Sequence, residues 1–86
     1  MKIIYSPQFK REYKKLARDL KNKAEEKEVI FYSNPFDARL KTHKLGGRWG
    51  ECWAFSVDYD CRIIFSFETE NTVIFHIIGD HSIYNK

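Results

Sequence analysis

Between Gln8 and Asn34 the chain carries neither glycine nor proline, and this stretch restricts the fold more than any other. Its apolar residues recur at helical spacing (Phe9, Tyr13, Leu16, Leu20, Ala24), with lysines and arginines on the remaining faces. One continuous helix here would run about 40 Å at 1.5 Å per residue, too long for a chain of 86 residues to cover. A break near Asp19–Asn22, giving an antiparallel helical pair, is the more compact solution. Ser6-Pro7 supplies the start: a hydroxyl cap, then a proline at the first helical position, where a missing N–H costs nothing. The second helix is expected to reach about Ser33, burying Ala24, Ile30 and Phe31. Asn34-Pro35 ends it, because the residue before a proline is pushed out of the helical region.

The remainder reads as sheet. Lys2–Tyr5 is short and β-prone, a first strand. After a basic loop over residues 35–50, with one helical turn expected around Phe36–Leu40, the apolar period changes from helical to two. Trp53, Phe55 and Val57 alternate with Cys52, Ala54 and Ser56. Beyond the Asp58-Tyr59-Asp60 turn, Ile63, Phe65 and Phe67 alternate with Arg62, Ile64 and Ser66. Beyond the Glu68–Asn71 turn, Val73, Phe75 and Ile77 continue the aromatic face. That face is expected to pack on the helices. The opposite face, expected to be free of helix, would present Ala54, Ser56, Arg62, Ser66, Thr72 and His76 among Ile64, Ile74 and Ile78, a credible binding surface. If Val57 pairs with Cys61, Cys52 faces Ser66, so both cysteines are expected as reduced thiols. The fold class is therefore α+β: an N-terminal strand and a helical hairpin packed on one face of a small antiparallel sheet, in a single domain over residues 1–86.

Charge is unevenly spread. Residues 1–33 carry a net +4, residues 34–50 a net +3 and residues 51–86 a net −4. Such a basic first half and loop favour a polyanionic partner, although a solvated basic helix face would give similar counts. No apolar stretch approaches the ~20 residues that span a bilayer, and Met1–Tyr5 carries no long apolar region of a secretion signal, so the cytoplasm is the expected compartment and no membrane the expected partner.

No phosphate-binding glycine loop, zinc-binding spacing or nucleophile elbow is present, and the reading calls for no metal and no cofactor. What remains is a set that acid–base cleavage of RNA could use: groups that move protons near neutral pH, and a cation for the phosphorane. Asp60, Arg62, His81 and Tyr84 lie at strand ends or just beyond, and His43 lies in the basic loop. Each has a plainer alternative. Arg62 could pair with Asp58, Asp60 or Glu51; His43 could be a solvated loop residue; Asp60 and His81 could form turns; Tyr84 could cap the core edge. Mid-strand His76 reads as structural, and Trp49 as packing against its neighbouring glycines.

Four stretches in order resemble the RelE/ParE toxin superfamily across essentially the whole chain. Ile4-Tyr5-Ser6-Pro7-Gln8-Phe9 is similar to its strand-to-helix start, and Leu40-Lys41-Thr42-His43-Lys44-Leu45-Gly46-Gly47 to its loop before the sheet. Asp60-Cys61-Arg62-Ile63-Ile64-Phe65 resembles its central strand, and Ile78-Gly79-Asp80-His81-Ser82-Ile83-Tyr84 its C-terminal signature. The nearest branch is the YafQ-like ribosome-dependent ribonucleases, whose loop histidine, strand-start aspartate and C-terminal histidine map to His43, Asp60 and His81. The arginine and C-terminal tyrosine of RelE- and YoeB-type members map to Arg62 and Tyr84. The chain departs from both: a further YafQ histidine falls at Ser56, and the RelE lysines fall near Trp53 and Phe55.

The resemblance implies a toxin of a type II toxin–antitoxin system that cuts mRNA on the ribosome. Lys10, Lys14, Lys41, Lys44 and Arg48 would then dock on RNA phosphates. It also implies a cognate antitoxin, ribosome-bound mRNA and ribosomal RNA as partners, with operator DNA met only through the antitoxin complex. The shared fold leaves two alternatives: a ParE-like gyrase inhibitor without enzymatic activity, and an inactive antitoxin-binding module.

Overall fold

The computed structural model describes residues 1–85, with His81 and Asn85 described in their backbone only. In chain order it contains β1 (Lys2–Tyr5), α1 (Pro7–Lys14), α2 (Arg18–Ser33), β2 (His43–Lys44), β3 (Trp53–Ser56), β4 (Arg62–Thr69) and β5 (Thr72–Gly79). Single 3-10 turns lie at Ala38–Leu40, Gly47–Trp49 and His81–Asn85.

The strands form one five-stranded sheet in the order β1-β5-β4-β3-β2. Strands β2 to β5 pair antiparallel, as their short connections require. The sheet is nevertheless mixed rather than antiparallel, because β1 joins β5 in parallel, Lys2 opposite Thr72 and Tyr5 opposite Phe75. Everything between β1 and β5 acts as the crossover that a parallel pair needs.

Strand β1 stops at Tyr5 while β5 runs on to Gly79, so the exposed backbone of β5 needs other partners. The start of α1 provides them. The Ser6 N–H donates to the Phe75 carbonyl at 3.0 Å, the Ser6 hydroxyl donates to the His76 carbonyl at 2.8 Å, and Glu12 Oε1 accepts from the Ile78 N–H at 3.2 Å. Ser6 Oγ also accepts from the Phe9 N–H at 3.0 Å, the helix cap read from sequence. One residue thus starts the helix and ties it to the sheet.

The helix break falls at Lys15–Ala17, earlier than the Asp19–Asn22 expected from sequence. The Lys15 and Leu16 N–H groups bond to the carbonyls of Glu12 and Tyr13, a 3-10-like tightening, and Ala17 is extended (φ −63°, ψ 155°). Breaking here lets Tyr13, Leu16 and Leu20 all reach the core. Propensity gave no sign of it, since alanine is the strongest helix former.

The helix side of the sheet closes around aromatic rings. Phe31, fully buried on α2, stacks on Phe55 at 5.1 Å and meets Phe65 and Phe75 edge-on at 5.0 and 5.3 Å. Val73 and Phe75 join this core as expected, but Ile77 does not. Ile64 pairs with Ile77 and Phe65 with Phe75, so His76 is an extra residue at a β-bulge. The bulge reverses the alternation: Ile78 packs on the helix side and Ile77 on the far side, opposite to the simple period-two reading.

Nor is the far face wholly open. Ala54, Ile64, Ile77 and Ile83 form a second buried cluster, flanked by Leu45, Trp49, Cys52 and Tyr84. The C-terminal turn packs down through Ile83, and the Trp49 indole N–H donates to the Tyr84 carbonyl at 3.2 Å. Gly79 permits that packing, since a β-carbon there would stand 2.6 Å from Ile83 Cγ2. Both cysteines are free thiols, and burial, with Asp58 next, pushes the Cys61 thiol up to about 11. Among the described residues no helix is long and apolar enough to cross a membrane.

Candidate functional site

Cross-strand register brings distant residues of the sequence into line. Ser56 pairs with Arg62, and Arg62 pairs with Gly79, a row across β3, β4 and β5. Two residues away runs the parallel row His43, Ala54, Ile64 and Ile77. Directly paired residues share a face, so His43, Ser56 and Arg62 belong to the far face with the Ile83 cluster.

Arg62 is half-buried and folds back over the β3–β4 turn. Its Nη1 donates to the carbonyls of Asp58, Tyr59 and Cys61 at 2.6, 3.1 and 3.1 Å. The plainer reading of Arg62 as a carboxylate partner is thus not what these bonds describe: one edge of the guanidinium grips backbone. The residue borders a cleft of about 480 Å³ lined also by Lys27, Arg39, Lys41, Ser56, Asp58 and Tyr59. Four cations thus meet one carboxylate there. Asp37 offsets part of the charge by taking the Arg39 fork at 3.0 Å on both oxygens, and that hydrogen-bonded fork holds its carboxyl down at about 2. Lys41 is presented by a left-handed backbone (φ 53°) at the end of the Ala38–Leu40 turn.

The remaining expected residues fall as follows. His43 is exposed on the edge strand, with Nδ1 at 3.1 Å from the Lys41 carbonyl, and is not among the residues lining the cleft. Asp60 is exposed in the turn, its N–H bonded to Asp58 Oδ1 at 2.9 Å. Tyr84 is half-buried; burial raises its hydroxyl above the ordinary value while the Arg62 charge pulls it down. Tyr84 packs beside the far-face cluster of Ala54, Ile64, Ile77 and Ile83. His81 begins the 3-10 turn two residues after Gly79, the partner of Arg62, and its side chain lies outside the described residues.

The expected docking lysines do not all converge. Lys41 lines the Arg62 cleft, whereas Lys10 and Lys14 border a different cavity of about 530 Å³ on the helix side, with Tyr5, Phe9 and Tyr13. Lys44 pairs with Glu51 at 3.1 Å and lies 6.0 Å from the Trp53 ring, while Arg48 is exposed in the Gly47–Trp49 turn.

Sequence reasoning did not single out Lys27, Arg39 or Tyr59. Lys27 precedes the core residue Phe31 by four positions, so it shares that helix face, and this signal could have found it. Mid-strand His76 is structural in its contacts: its Nε2 lies 2.8 Å from Ser66 Oγ, and burial lowers its pKa although Glu68 partly opposes this. No group of three or more metal-ligating side chains occurs among the described residues.

Two helices on one face of a five-stranded mixed sheet is the fold of the YafQ and YoeB toxins, in keeping with the RelE/ParE superfamily. A family model described as "bacterial toxin of type II toxin-antitoxin system, YafQ" matches residues 1–85, and the chain belongs to that family. It is similar to the crystal structure of YafQ from E. coli strain BL21(DE3), with TM-score 0.80 and 26% identity over 98% of this chain and 97% of that one. The toxin in the E. coli DinJ–YafQ toxin–antitoxin complex gives TM-score 0.75 and 27% identity, covering 94% and 92%. The YoeB/ParE toxin from Agrobacterium tumefaciens shares the fold at TM-score 0.80 with 14% identity, covering 94% and 99%. No curated protein matches the sequence significantly. The protein is a type II toxin.

Proposed function

We propose that this toxin is an mRNA endoribonuclease acting on the ribosome by acid–base chemistry without a metal. The observation carrying this reading is the Arg62 cleft: the strand arginine, on the face that also bears His43 and Tyr84, shares the cleft with Lys27 of α2 and Lys41. In such cleavage the 2′-hydroxyl loses its proton as its oxygen attacks phosphorus, the P–O5′ bond breaks, and the leaving 5′-oxygen takes up a proton. Arg62, always charged and able to donate two parallel hydrogen bonds, is suited to the negative phosphorane. His81 and Asp60 exchange the protons, assisted by His43 or Tyr84. Tyr84, its pKa raised, stays protonated at neutral pH and therefore assists as a donor rather than a base.

Docking falls to Lys41 at the cleft, with Lys10, Lys14, Lys44 and Arg48 as outlying phosphate contacts. A cognate antitoxin, as in the DinJ–YafQ complex, would cover the cleft; operator DNA would be met through that complex, and the site of action is the cytoplasm. The reading spans residues 1–86 as one domain. Mapping transcript 5′ ends in a translating extract tests it. Wild-type protein should create new ends within reading frames, and an Arg62→Ala, His81→Ala double variant should create none. Stalled gyrase–DNA complexes with intact mRNA would replace the nuclease by the gyrase-inhibitor reading.

A further inference from the structure

Tyr59 sits at the tip of the β3–β4 turn with 92% of its surface exposed, the most exposed large hydrophobic residue among the described residues. An isolated exposed aromatic is ordinary on a protein surface. Three features set this one apart. Its residue lines the cationic cleft of Lys27, Arg39, Lys41 and Arg62. The turn carrying it is held from several sides: Arg62 Nη1 grips the Asp58 and Tyr59 carbonyls, Asp58 Oδ1 accepts from the Asp60 N–H, and Lys23 of α2 pairs with the Asp58 carboxylate at 3.7 Å. And among the described residues the ring makes none of the aromatic pairs that occupy the core.

An exposed ring on a held turn beside a cationic cleft matches the arrangement by which single-stranded nucleic acid is held: cations follow the backbone and an aromatic face carries a base. We propose that Tyr59 is a substrate-binding residue, stacking on an unpaired RNA base whose neighbouring phosphate lies against Arg62 and Lys41. This rests on the nuclease reading and adds to it the site where a base is held. Arg62 gives the two subsites one support, because the same guanidinium that borders the cleft clamps the carbonyl of Tyr59.

Removing a stacked aromatic costs about 1–3 kcal/mol per base, so the loss of the ring should weaken productive binding roughly tenfold. The test measures initial cleavage of one reporter mRNA in a translating extract against toxin concentration, for wild type, Tyr59→Phe, Tyr59→Leu and Tyr59→Ala. Expected are a half-saturating concentration raised about tenfold for Tyr59→Ala, a clear rise for Tyr59→Leu, and near wild-type behaviour for Tyr59→Phe, which keeps the ring. The saturating rate and the thermal midpoint should hardly change, since the side chain buries almost nothing. Wild-type cleavage with an unaltered half-saturating concentration in Tyr59→Ala overturns this inference and leaves the nuclease reading standing. Equal losses in Tyr59→Phe and Tyr59→Ala also overturn it, since they would assign the effect to the hydroxyl. Absence of cleavage by wild-type protein removes both.

Discussion

The two faces of the sheet are built from the same strands but reach different ends. On the helix side, Phe31, Phe55, Phe65 and Phe75 are all fully buried and in mutual ring contact. On the far side the cluster is smaller: Ala54, Ile64, Ile77 and Ile83, closed by a tryptophan loop and a C-terminal turn instead of a helix. It covers only part of the face, and the cationic cleft lies beyond its edge. The difference teaches that, on the proposed nuclease reading, stability and chemistry are separated. Helices and aromatic rings hold the sheet, which frees the far strand ends to gather like charges that a core could not accommodate.

The largest effect should come from breaking the helix side. Phe31→Ala removes a ring with three aromatic partners, and truncating a buried phenylalanine costs about 3–5 kcal/mol. Against a typical total of about 5–15 kcal/mol, denaturant unfolding should show a severe loss or no folded baseline. A smaller, local effect should follow on the far side from Gly79→Ala. Its methyl group would meet Ile83 Cγ2 at 2.6 Å, so the C-terminal turn must shift, at about 1–3 kcal/mol for overpacking. Cleavage should fall in this variant more than the loss of stability explains, because His81 and Tyr84 ride on that turn. If stability and cleavage fall in proportion, the separation of the faces is wrong.

The smallest effect concerns His76 at the bulge between them. Its pKa is lowered in the folded protein, first by burial, so below its ordinary value the unfolded chain binds the proton more readily. Its contribution to stability is therefore present above about pH 6.5 and is lost as pH falls through the folded value. Unfolding free energies measured between about pH 7 and 5 should drop less in His76→Gln than in wild type. An identical slope would mean that the imidazole is not held neutral.

Much of this was legible in the sequence because it depended on local pattern. The Ser6-Pro7 start, the end of the second helix at Ser33, the Asp58–Asp60 turn and the Val57–Cys61 pairing follow from caps, turn residues and a period of two. What escaped was set by tertiary accommodation. The break at Ala17 carries no breaker residue, and the bulge at His76 has no marking glycine, yet it exchanges the roles of Ile77 and Ile78. Of the candidate site residues read from sequence, the structure brings Arg62 and Lys41 to one cleft. The outline of that cleft was not legible. Lys27 comes from a helix and Tyr59 from a turn, and only the packing of α2 beside the β3–β4 hairpin brings them to Arg62.

The most direct test of the account is the cleavage rate of Arg62→Ala in a translating extract, measured beside its unfolding free energy. Removing one donor aimed at developing negative charge costs about 10²–10³ in rate. The account predicts a fall of that size, with a protein that still folds cooperatively. A folded Arg62→Ala protein that cuts within about twofold of wild type, far inside that range, would contradict it.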